Sequence, residues 1–371
     1  MPSRFALALA PLLLACHAPS PDSPDSPAEQ RPSDATPAAA SRAVEREPLP
    51  EEVHFASLRQ ITFGGENAEA YLSFAEDRLI FQSTRDGLGC DQIFTMSLDG
   101  SNTQMVSSGK GRTTCAYFLP GDQRIIYAST HAAADDCLPP PDRSKGYVWK
   151  LYDEFDIYVA NADGSDVRVL AASPGYDAEA TVSPRGDAIV FTSTRDGDPE
   201  LYLMAPDGSN VRRLTNSPGY DGGAFFNFDG SKIIWRANRP QGADEQAKYE
   251  ELRTEGLVRP TRLELMVMNA DGSDQRQVTS NGAANFGPFW HPDGERVIFA
   301  SNVADPQGRN FDLHMIHVAA GTDAAPEQIT FDADFDGFPM FTRDGKQLVF
   351  ASNRHNENDG DTNVFVAQWQ D

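Results

Sequence analysis

The sequence predicts an all-β protein, a six-bladed β-propeller of four-stranded antiparallel blades. Three observations support this prediction: a repeated segment, a regularly spaced turn motif and a regularly placed aromatic residue. The segment formed by residues 167–210 recurs, lengthened or trimmed, over most of the chain. Units of this kind bury their apolar faces only by stacking on neighbouring copies, so the repeat predicts the architecture.

The turn motif gives the length of the repeat. Asp-Gly-Ser recurs at intervals of about 44 or about 64 residues, and about 44 residues is the usual length of a four-stranded propeller blade. The motif begins at Asp99, Asp163, Asp207 and Asp271. An aromatic residue also ends one short apolar run in each unit, and six such residues predict six blades. They are Phe81, Tyr127, Phe191, Trp235, Phe299 and Phe350.

Each unit contains four predicted strands, A to D. In the third unit they cover residues 178–182, 188–191, 201–204 and 211–215, which are short β-rich runs bounded by turn residues. The Pro-Asp-Gly-Ser segment at residues 206–209 supplies a hairpin turn between C and D, where glycine tolerates positive φ.

The order of the strands also predicts how the ring closes. A sixth copy of strand D lies at residues 58–62, before the first blade, whereas the last blade ends after its strand C at residues 364–368. We therefore expect residues 58–62 to complete the sixth blade. Closure of this kind covers two sheet edges that would otherwise be exposed to aggregation.

The turns between strands A and B carry a family resemblance. The segments Ser-Pro-Arg-Gly at residues 183–186 and His-Pro-Asp-Gly at residues 291–294, with the apolar-aromatic strands that follow, resemble the TolB-type, WD40-like PD40 propeller repeat over roughly residues 58–371. The resemblance implies a fold and no single activity, since such propellers occur in TolB, in prolyl-oligopeptidase-like enzymes and in some sugar lyases. TolB also has an α/β domain before its propeller, for which this sequence has no room.

The N-terminal residues 1–15 resemble a lipoprotein signal peptide. Arg4 precedes an apolar run over residues 5–14, which is too short to span a bilayer. Residues 13–16, Leu-Leu-Ala-Cys, resemble a bacterial lipobox, which implies a mature chain that starts at a lipid-modified Cys16. An ordinary signal peptide with a chance cysteine is the alternative. His17, in place of an aspartate, implies the outer membrane if the cell is Gram-negative.

Composition divides the rest of the chain. Residues 16–53 are rich in Pro, Ser and Ala and poor in aliphatic residues, which predicts a disordered tether before a propeller of residues 54–371. The formal net charge of −24 argues against nucleic acid or anionic lipid as partners. It favours a basic partner, cations or simple solubility. Membrane contact is expected through the lipid anchor only.

Three further cysteines, Cys90, Cys115 and Cys137, are predicted to lie on one face of the ring. An oxidising compartment predicts one disulfide and one remaining free thiol, without deciding which pair forms. A metal site of three thiolates is the alternative, but no Cys-x-x-Cys or nearby histidine supports it.

The same face receives two insertions, at about residues 131–153 in blade 2 and about residues 240–262 in blade 4. They account for the two intervals of about 64 residues and flank blade 3. The first brings Tyr147, Trp149 and Tyr152 together, and the second contains a helix-forming stretch at residues 243–253. Long loops on a rigid scaffold commonly carry binding sites, so we expect them to wall a cleft over the channel. The alternative is that they only cap the ring.

Two predicted rings of polar residues lie at the same end of the channel. The first ring begins each strand A and could bind a cation or polar ligand, with Glu69 and Glu179 one step deeper, or could cap the local turns. Its members are Asn67, Thr113, Asp177, Asp221, Asn285 and Asp336. The second ring follows each strand B and predicts charge-assisted bonds between blades. It contains Arg85, Arg195, Arg239 and Arg354, with His131 and Val303 in the remaining blades.

No catalytic constellation is found in the sequence, which has neither Gly-x-Ser-x-Gly nor His-Glu-x-x-His. The run with Asp332, Asp334 and Asp336 resembles the start of an EF-hand loop, but its twelfth position is Arg343 instead of a glutamate, so no cofactor is predicted beyond a weak calcium candidate. We therefore expect a monomeric, lipid-anchored, extracytoplasmic propeller that binds an envelope protein. The alternative is a metal-assisted carbohydrate-active enzyme of the lyase type at the channel mouth.

Overall fold

The computed structural model describes residues 43–371, which form a closed ring of six antiparallel sheets and confirm the predicted fold class. Each blade follows the order A-B-C-D from the channel outwards. The strands in that order are, for blade 1, Asn67–Leu72, Arg78–Ser83, Gln92–Ser97 and Gln104–Met105; for blade 2, Thr113–Phe118, Arg124–Ser129, Asp156–Asn161 and Arg168–Ala171; for blade 3, Asp177–Val182, Ile189–Ser193, Glu200–Met204 and Arg212–Arg213; for blade 4, Asp221–Phe226, Lys232–Asn238, Leu263–Asn269 and Arg276–Gln277; for blade 5, Asn285–Trp290, Arg296–Ser301, Asp312–His317 and Glu327–Gln328; and for blade 6, Asp336–Phe341, Gln347–Ser352, Asn363–Trp369 and Phe55–Gln60.

The sixth blade closes the ring as predicted. Strand Phe55–Gln60 pairs antiparallel with Asn363–Trp369, so the start of the propeller domain completes its last sheet. Leu58 on this strand and Ile61 directly after it are fully buried. Since their burial depends on the closing strand, this strand also contributes to the core.

The propeller begins earlier than the sequence predicted. Val44–Arg46 pairs with Phe55–Gln60 as a fifth strand of blade 6, although residues 16–53 were expected to be a disordered tether. Glu52 is buried, and its carboxylate accepts hydrogen bonds from Arg354 at 2.8 and 3.2 Å. A polar composition therefore did not prevent order here, because pairing with an existing edge and an ion pair hold the segment. Cys16 and the signal peptide lie outside the described residues.

Aromatic residues form the core of the blades. The six aromatic residues that end the apolar runs are fully buried near the end of each strand B. In four blades they face an aromatic residue of strand C, as in Phe81 with Phe94 at 5.8 Å and Phe350 with Phe365 at 5.7 Å between ring centroids. Such cross-strand pairs stabilise each sheet and fix its register.

The Asp-Gly-Ser turns connect strands C and D within a blade and pack against the preceding blade. Each aspartate accepts hydrogen bonds from the serine, as at Asp99 and Ser101, and the glycine adopts positive φ. At Gly208, an added Cβ would lie 2.3 Å from the carbonyl oxygen of Leu170 in the preceding blade. Glycine is therefore required both for the turn and for the close approach of two blades.

Outside the blades, the two insertions form the remaining regular structure. The first contains the short 3-10 helix Arg143–Lys145 and strand Trp149–Lys150, and the second contains the α-helix Gly242–Thr254 and strand Leu257–Val258. Within residues 43–371, no helix has the length and apolar character needed to cross a membrane.

A disulfide links the blade 2 insertion to blade 1. It joins Cys90 and Cys137, whose Cα atoms are 5.9 Å apart, and so selects one of the pairs that the sequence left open. The expected free thiol is wrong for the part of the chain that the structure describes, in which no cysteine is free. The bond ties the first half of the insertion to the ring.

Replacing Cys90 and Cys137 with alanine is expected to lower the free energy of unfolding by up to about 4 kcal/mol, because the disulfide restrains a long loop in the unfolded chain. Urea unfolding followed by circular dichroism measures the effect. The dependence of the unfolding free energy on urea should also become steeper, since the unfolded chain can expand further. An unchanged midpoint would contradict the prediction.

Candidate functional site

The two insertions pair with each other over the channel. Strand Leu257–Val258 of blade 4 pairs with Trp149–Lys150 of blade 2, and the backbone N–H of Leu151 donates to the carbonyl of Gly256 at 2.8 Å. Arg259 extends this contact by donating to the Lys145 carbonyl at 2.8 Å. We call residues 131–155 and 239–262 the cap, and the end of the ring that carries them the capped face. The insertions therefore cover the channel mouth instead of walling an open cleft.

The predicted aromatic cluster lies mainly beneath this cap. Trp149 and Tyr152 are buried, and the Trp149 ring packs edge-on against Tyr220 with centroids 5.8 Å apart. Tyr152 donates its hydroxyl to the carbonyl of Pro139 at 2.7 Å. Tyr147 alone remains half-buried. Two of the three aromatic residues expected to meet a partner therefore hold the cap on the ring.

The ring at the start of each strand A is also buried, and all six of its members are inaccessible to solvent. Their side chains bond to groups of the same turn or blade, as Asn67 does in donating to the carbonyls of Gly64 and Gly65. The side chains of Asn67 and Asn285 also donate to backbone carbonyls of the preceding blade, at 2.9 and 2.8 Å. In five of the six, the backbone N–H also donates to the preceding blade, for instance from Asp177 to the Phe155 carbonyl at 2.9 Å. This arrangement supports the local capping alternative and leaves no open polar ring at the mouth.

The arginine ring acts within blades, which corrects the predicted bonds between them. Each arginine donates to the first residue of strand A in its own blade, at 2.6 to 2.9 Å. The pairs are Arg85 with Asn67, Arg195 with Asp177, Arg239 with Asp221 and Arg354 with Asp336. Three of these guanidinium groups also lie over buried aromatic rings, as Arg195 does over Phe191 at 5.1 Å. The repeated unit is thus an intrablade clamp.

The third residue of every strand A adopts a left-handed conformation that the sequence did not reveal. Its φ lies between 51° and 60° in all six blades, and each strand A has an irregular register at this point. The bulge turns this residue into the channel. The six residues are Glu69, Cys115, Glu179, Gly223, Gly287 and Phe338. The glycines at two of these positions could have indicated a positive φ, but the larger residues at the other four positions gave no such indication.

At this level the channel encloses a buried charged cluster. Arg236 of blade 4 is buried, and its guanidinium bonds to the Glu179 carboxylate. Glu179 also accepts from the Tyr220 hydroxyl at 2.9 Å and the Thr192 hydroxyl at 2.7 Å. The Trp149 ring covers the guanidinium at 5.1 Å. Cap and channel are therefore joined through one buried cation.

Electrostatics around Arg236 follow from its burial. Desolvation lowers the pKa of Arg236, but Tyr220, Glu179 and Glu69 together outweigh it and raise that pKa. Burial, followed by the nearby Glu69, raises the pKa of Tyr71 well above its usual value. The cavity between these residues has a volume of about 20 Å³, which is room for roughly one water molecule. The channel waist is therefore too narrow for a sugar or peptide.

A second group of carboxylates lies where blades 5 and 6 meet. Asp312 and Asp336 are buried, and Arg354 donates to both Asp336 and Glu52. Burial, together with the nearby Asp336, raises the pKa of Asp312 to about 7. Burial also raises the pKa of Asp336 to about 6, although Arg354 opposes the shift. Both groups hold protons in the folded state at a pH where they lose them in the unfolded chain.

This junction predicts that stability falls as the pH rises. The folded pKa values of about 6 and 7 lie above the unfolded value of about 3.9. The stabilising contribution of the two carboxyl groups is therefore complete below pH 4, decreases as the pH rises, and is lost once the pH has passed the folded values of about 6 and 7. Asp312→Asn should raise the free energy of unfolding at pH 8 by roughly 1–3 kcal/mol and give little gain at pH 4.

Urea unfolding at the two pH values measures the difference, with the exposed Asp323→Asn as control. Equal effects of Asp312→Asn at pH 4 and pH 8 would show that this carboxyl does not control the pH dependence.

The weak calcium candidate does not converge on one point. Asp336 turns into its blade to bind Arg354, whereas Asp332 accepts from the backbone N–H of Asp334 at 3.1 Å within the loop. Over residues 43–371, no group of three or more His, Cys, Asp and Glu side chains is placed to hold a metal ion. The histidines are also separated, with His291 beside Asp293 on the opposite face and the His131 ring tilted against Tyr158 in blade 2.

One larger cavity opens on the capped face. It has a volume of about 430 Å³ and lies between the end of the blade 4 insertion, Tyr147 of the blade 2 insertion and the B–C loop of blade 5. Its lining includes Arg262 and Arg309. Sequence reasoning placed Tyr147 near a binding face but missed this pocket, because four segments that are distant in sequence form it, including residues 282–286 at the start of blade 5.

Comparison with known proteins supports the fold. The model of the TolB beta propeller domain matches residues 141–258. TolB from Acinetobacter baumannii is 18% identical with a TM-score of 0.53, and the alignment covers 83% of this chain and 65% of that one. A putative TolB from Agrobacterium tumefaciens is also 18% identical, with a TM-score of 0.52 and coverage of 83% and 91%. The predicted resemblance to TolB-type propellers is therefore confirmed.

The fold is shared with an enzyme as well. An oligogalacturonate lyase in complex with manganese is 14% identical with a TM-score of 0.52, and the alignment covers 89% of this chain and 96% of that one. This chain thus spans less than two thirds of the Acinetobacter TolB but nearly the whole lyase. No curated protein matches the sequence. At these identities the similarity shows the fold alone.

Proposed function

We propose that this protein is a lipid-anchored, non-catalytic propeller of the bacterial cell envelope that presents its capped face to an envelope protein. The main supporting observation is the cap, in which the two large departures from the repeat pair with each other to form an added layer. Functional specialisation of a repeated scaffold usually resides in such added loops. The anchor at Cys16 and the location at the outer membrane are part of this proposal.

The helix Gly242–Thr254 provides the exposed surface of the cap. None of its residues is buried, although Tyr249 bonds to Asp198 and Arg253 donates to the Gly197 carbonyl at 2.6 Å in blade 3. A polar helix that is held at one side and buries no core face presents most of its surface to solvent. It therefore offers a rigid docking surface for a partner.

The position of the N-terminal strand suits this arrangement. Val44–Arg46 lies at the outer edge of blade 6, and the helix lies over blade 3, which is opposite in a ring of six. A tether that leaves from blade 6 would keep the helix free. The strong negative charge favours a basic partner surface and makes nucleic acid an improbable ligand. We propose that the propeller is a monomer in this role.

The alternative is a metal-assisted carbohydrate-active enzyme at the channel mouth. It is supported by the fold shared with a lyase, whereas the cap over the mouth and the narrow waist favour the binding module. Incubation of the purified protein with acidic oligosaccharides and Mn²⁺ tests it, because a lyase would release unsaturated products that absorb in the ultraviolet. Product formation that depends on the metal would support the enzyme and contradict the proposed non-catalytic binding role.

The binding role predicts that the helix surface determines which partner is captured. Asp244 and Glu251 are exposed on the helix, and replacing both with lysine is expected to reduce capture of an envelope protein in crosslinked cells by about tenfold or more. Asp323→Lys on the opposite face is the matched control. Affinity purification with quantitative mass spectrometry measures the change. If the helix variant and the control capture the same proteins in equal amounts, the helix is not the docking surface.

A further inference from the structure

The cavity on the capped face has the features of a built ligand site. Its volume of about 430 Å³ is within the range of small-molecule pockets. Its floor is apolar, because Phe286 and Phe311 are buried with ring centroids 4.6 Å apart. Phe286 is supported from behind by Phe335 and Phe338, at 6.3 and 6.1 Å. The floor is therefore held in place by the core of blades 5 and 6.

The rim of the pocket carries positive charge. Arg309 and Arg262 line the pocket, and no carboxylate of the described residues lines it. This local balance is the reverse of that of the whole protein, which has 55 acidic and 31 basic residues. The guanidinium of Arg262 is paired with Glu245. That of Arg309 is exposed and lies over the Tyr147 ring at 5.4 Å, with no ion pair to any carboxylate among residues 43–371. One cation at the rim is thus available to an incoming anion.

We propose that this pocket binds a carboxylate that carries an aromatic or bulky apolar group. The apolar group would lie against Phe286 and Phe311, and the carboxylate would accept two parallel N–H bonds from Arg309. The planar guanidinium fits a carboxylate in this way, and Tyr147 holds it at the rim before the ligand arrives. Such a ligand is either a small free acid or the C-terminal residue of a polypeptide. The site does not depend on the docking role of the helix.

The test uses the mature chain and two matched probes, N-acetyl-L-phenylalanine and its neutral amide. We expect the acid to bind at least about tenfold more tightly than the amide, since charge-assisted bonds distinguish them. Arg309→Gln should remove this preference for the acid. The exposed Arg168→Gln, on strand D of blade 2, is the control and should leave it unchanged. Isothermal titration calorimetry measures each affinity.

A second variant tests the position of the site independently of charge. Thr261 is exposed at the pocket rim, and Thr261→Trp should fill the cavity and abolish binding of both probes while thermal unfolding stays unchanged. Equal affinity for acid and amide, or full binding by Arg309→Gln or Thr261→Trp, would overturn the proposal.

A peptide that ends in phenylalanine, with a free or an amidated terminus, then identifies the source. Tighter binding of the free terminus than of the small acid indicates a polypeptide end, and the reverse indicates a small metabolite.

Discussion

Arg236→Met is expected to lower the free energy of unfolding by about 3–5 kcal/mol, because removing one partner of a buried ion pair leaves an uncompensated charge. Arg236 is buried between the Glu179 carboxylate and the Trp149 ring, so the substitution affects both the channel and the cap. Urea unfolding at pH 7 measures the loss. Arg168→Met removes an exposed pair with Asp166 and should cost about 1 kcal/mol or less.

The loss should depend on pH in a way that identifies its cause. In Arg236→Met the buried Glu179 carboxylate has lost its cation, so the folded state is less unfavourable when that carboxyl is protonated. Stability at pH 4 should therefore exceed stability at pH 7 by more in the variant than in the parent chain. A loss that is equal at both pH values would indicate a packing defect in place of an unpaired charge.

A double substitution separates the pair from its surroundings. Adding Glu179→Gln to Arg236→Met removes the unpaired carboxylate, and the two effects should fall short of additivity by about 1–3 kcal/mol. Additive effects would contradict a direct interaction. Accessibility of Trp149 to a fluorescence quencher supplies a further readout, since a cap released from Arg236 should expose this ring in the single variant.

The repeat allowed the fold to be predicted because its information is local. The Asp-Gly-Ser motif requires a turn with positive φ, as at Gly208, and the regularly spaced aromatic residue, as at Phe191, requires a buried strand. Each motif therefore predicts the same local structure wherever it recurs in the repeat. Ring closure followed from a count of strands. The boundary at residue 53 was wrong because strand pairing of Val44–Arg46 and the buried contact of Glu52 with Arg354 order a segment of polar composition.

The candidate site was harder to predict because it forms between segments that are distant in sequence. The positions of the insertions were correct, but their pairing through Val258 and Trp149 has no local signal. The arginine ring was identified from its spacing, yet spacing alone cannot distinguish a bond within a blade from one between blades. Arg309 lies at no position that recurs in the repeat, so the sequence did not single it out. Only its contact with the Tyr147 ring in the folded protein indicates a role.

A truncation series is expected to show that ring closure determines whether the domain folds. A chain that starts at residue 43 keeps the contacts among the described residues and is the reference for the shorter chains. A start at residue 54 removes the fifth strand and the two bonds from Arg354 to Glu52, and should cost about 2–4 kcal/mol. Glu52→Gln in the longer chain is the matched point variant and should account for about half of that loss.

A start at residue 63 removes the closing strand itself and should abolish cooperative unfolding. Phe55, Leu58 and Ile61 are buried, and burial of each contributes about 2–3 kcal/mol. The strand Asn363–Trp369 would also become an open edge and promote aggregation. Differential scanning calorimetry and light scattering measure both consequences. A single sharp transition at the parent midpoint would show that residues 55–60 are dispensable to the ring.

Addition of the missing strand as a separate peptide tests closure directly. A peptide of residues 43–62 should bind the chain that starts at residue 63 and restore its cooperative transition, since extended peptides add to open sheet edges. The same peptide with Leu58→Asp should fail, because this side chain is fully buried in the closed ring and a carboxylate there would lose its hydration. Rescue by the first peptide and not the second would show that the closing strand stabilises the sixth blade through its packing as well as its backbone hydrogen bonds.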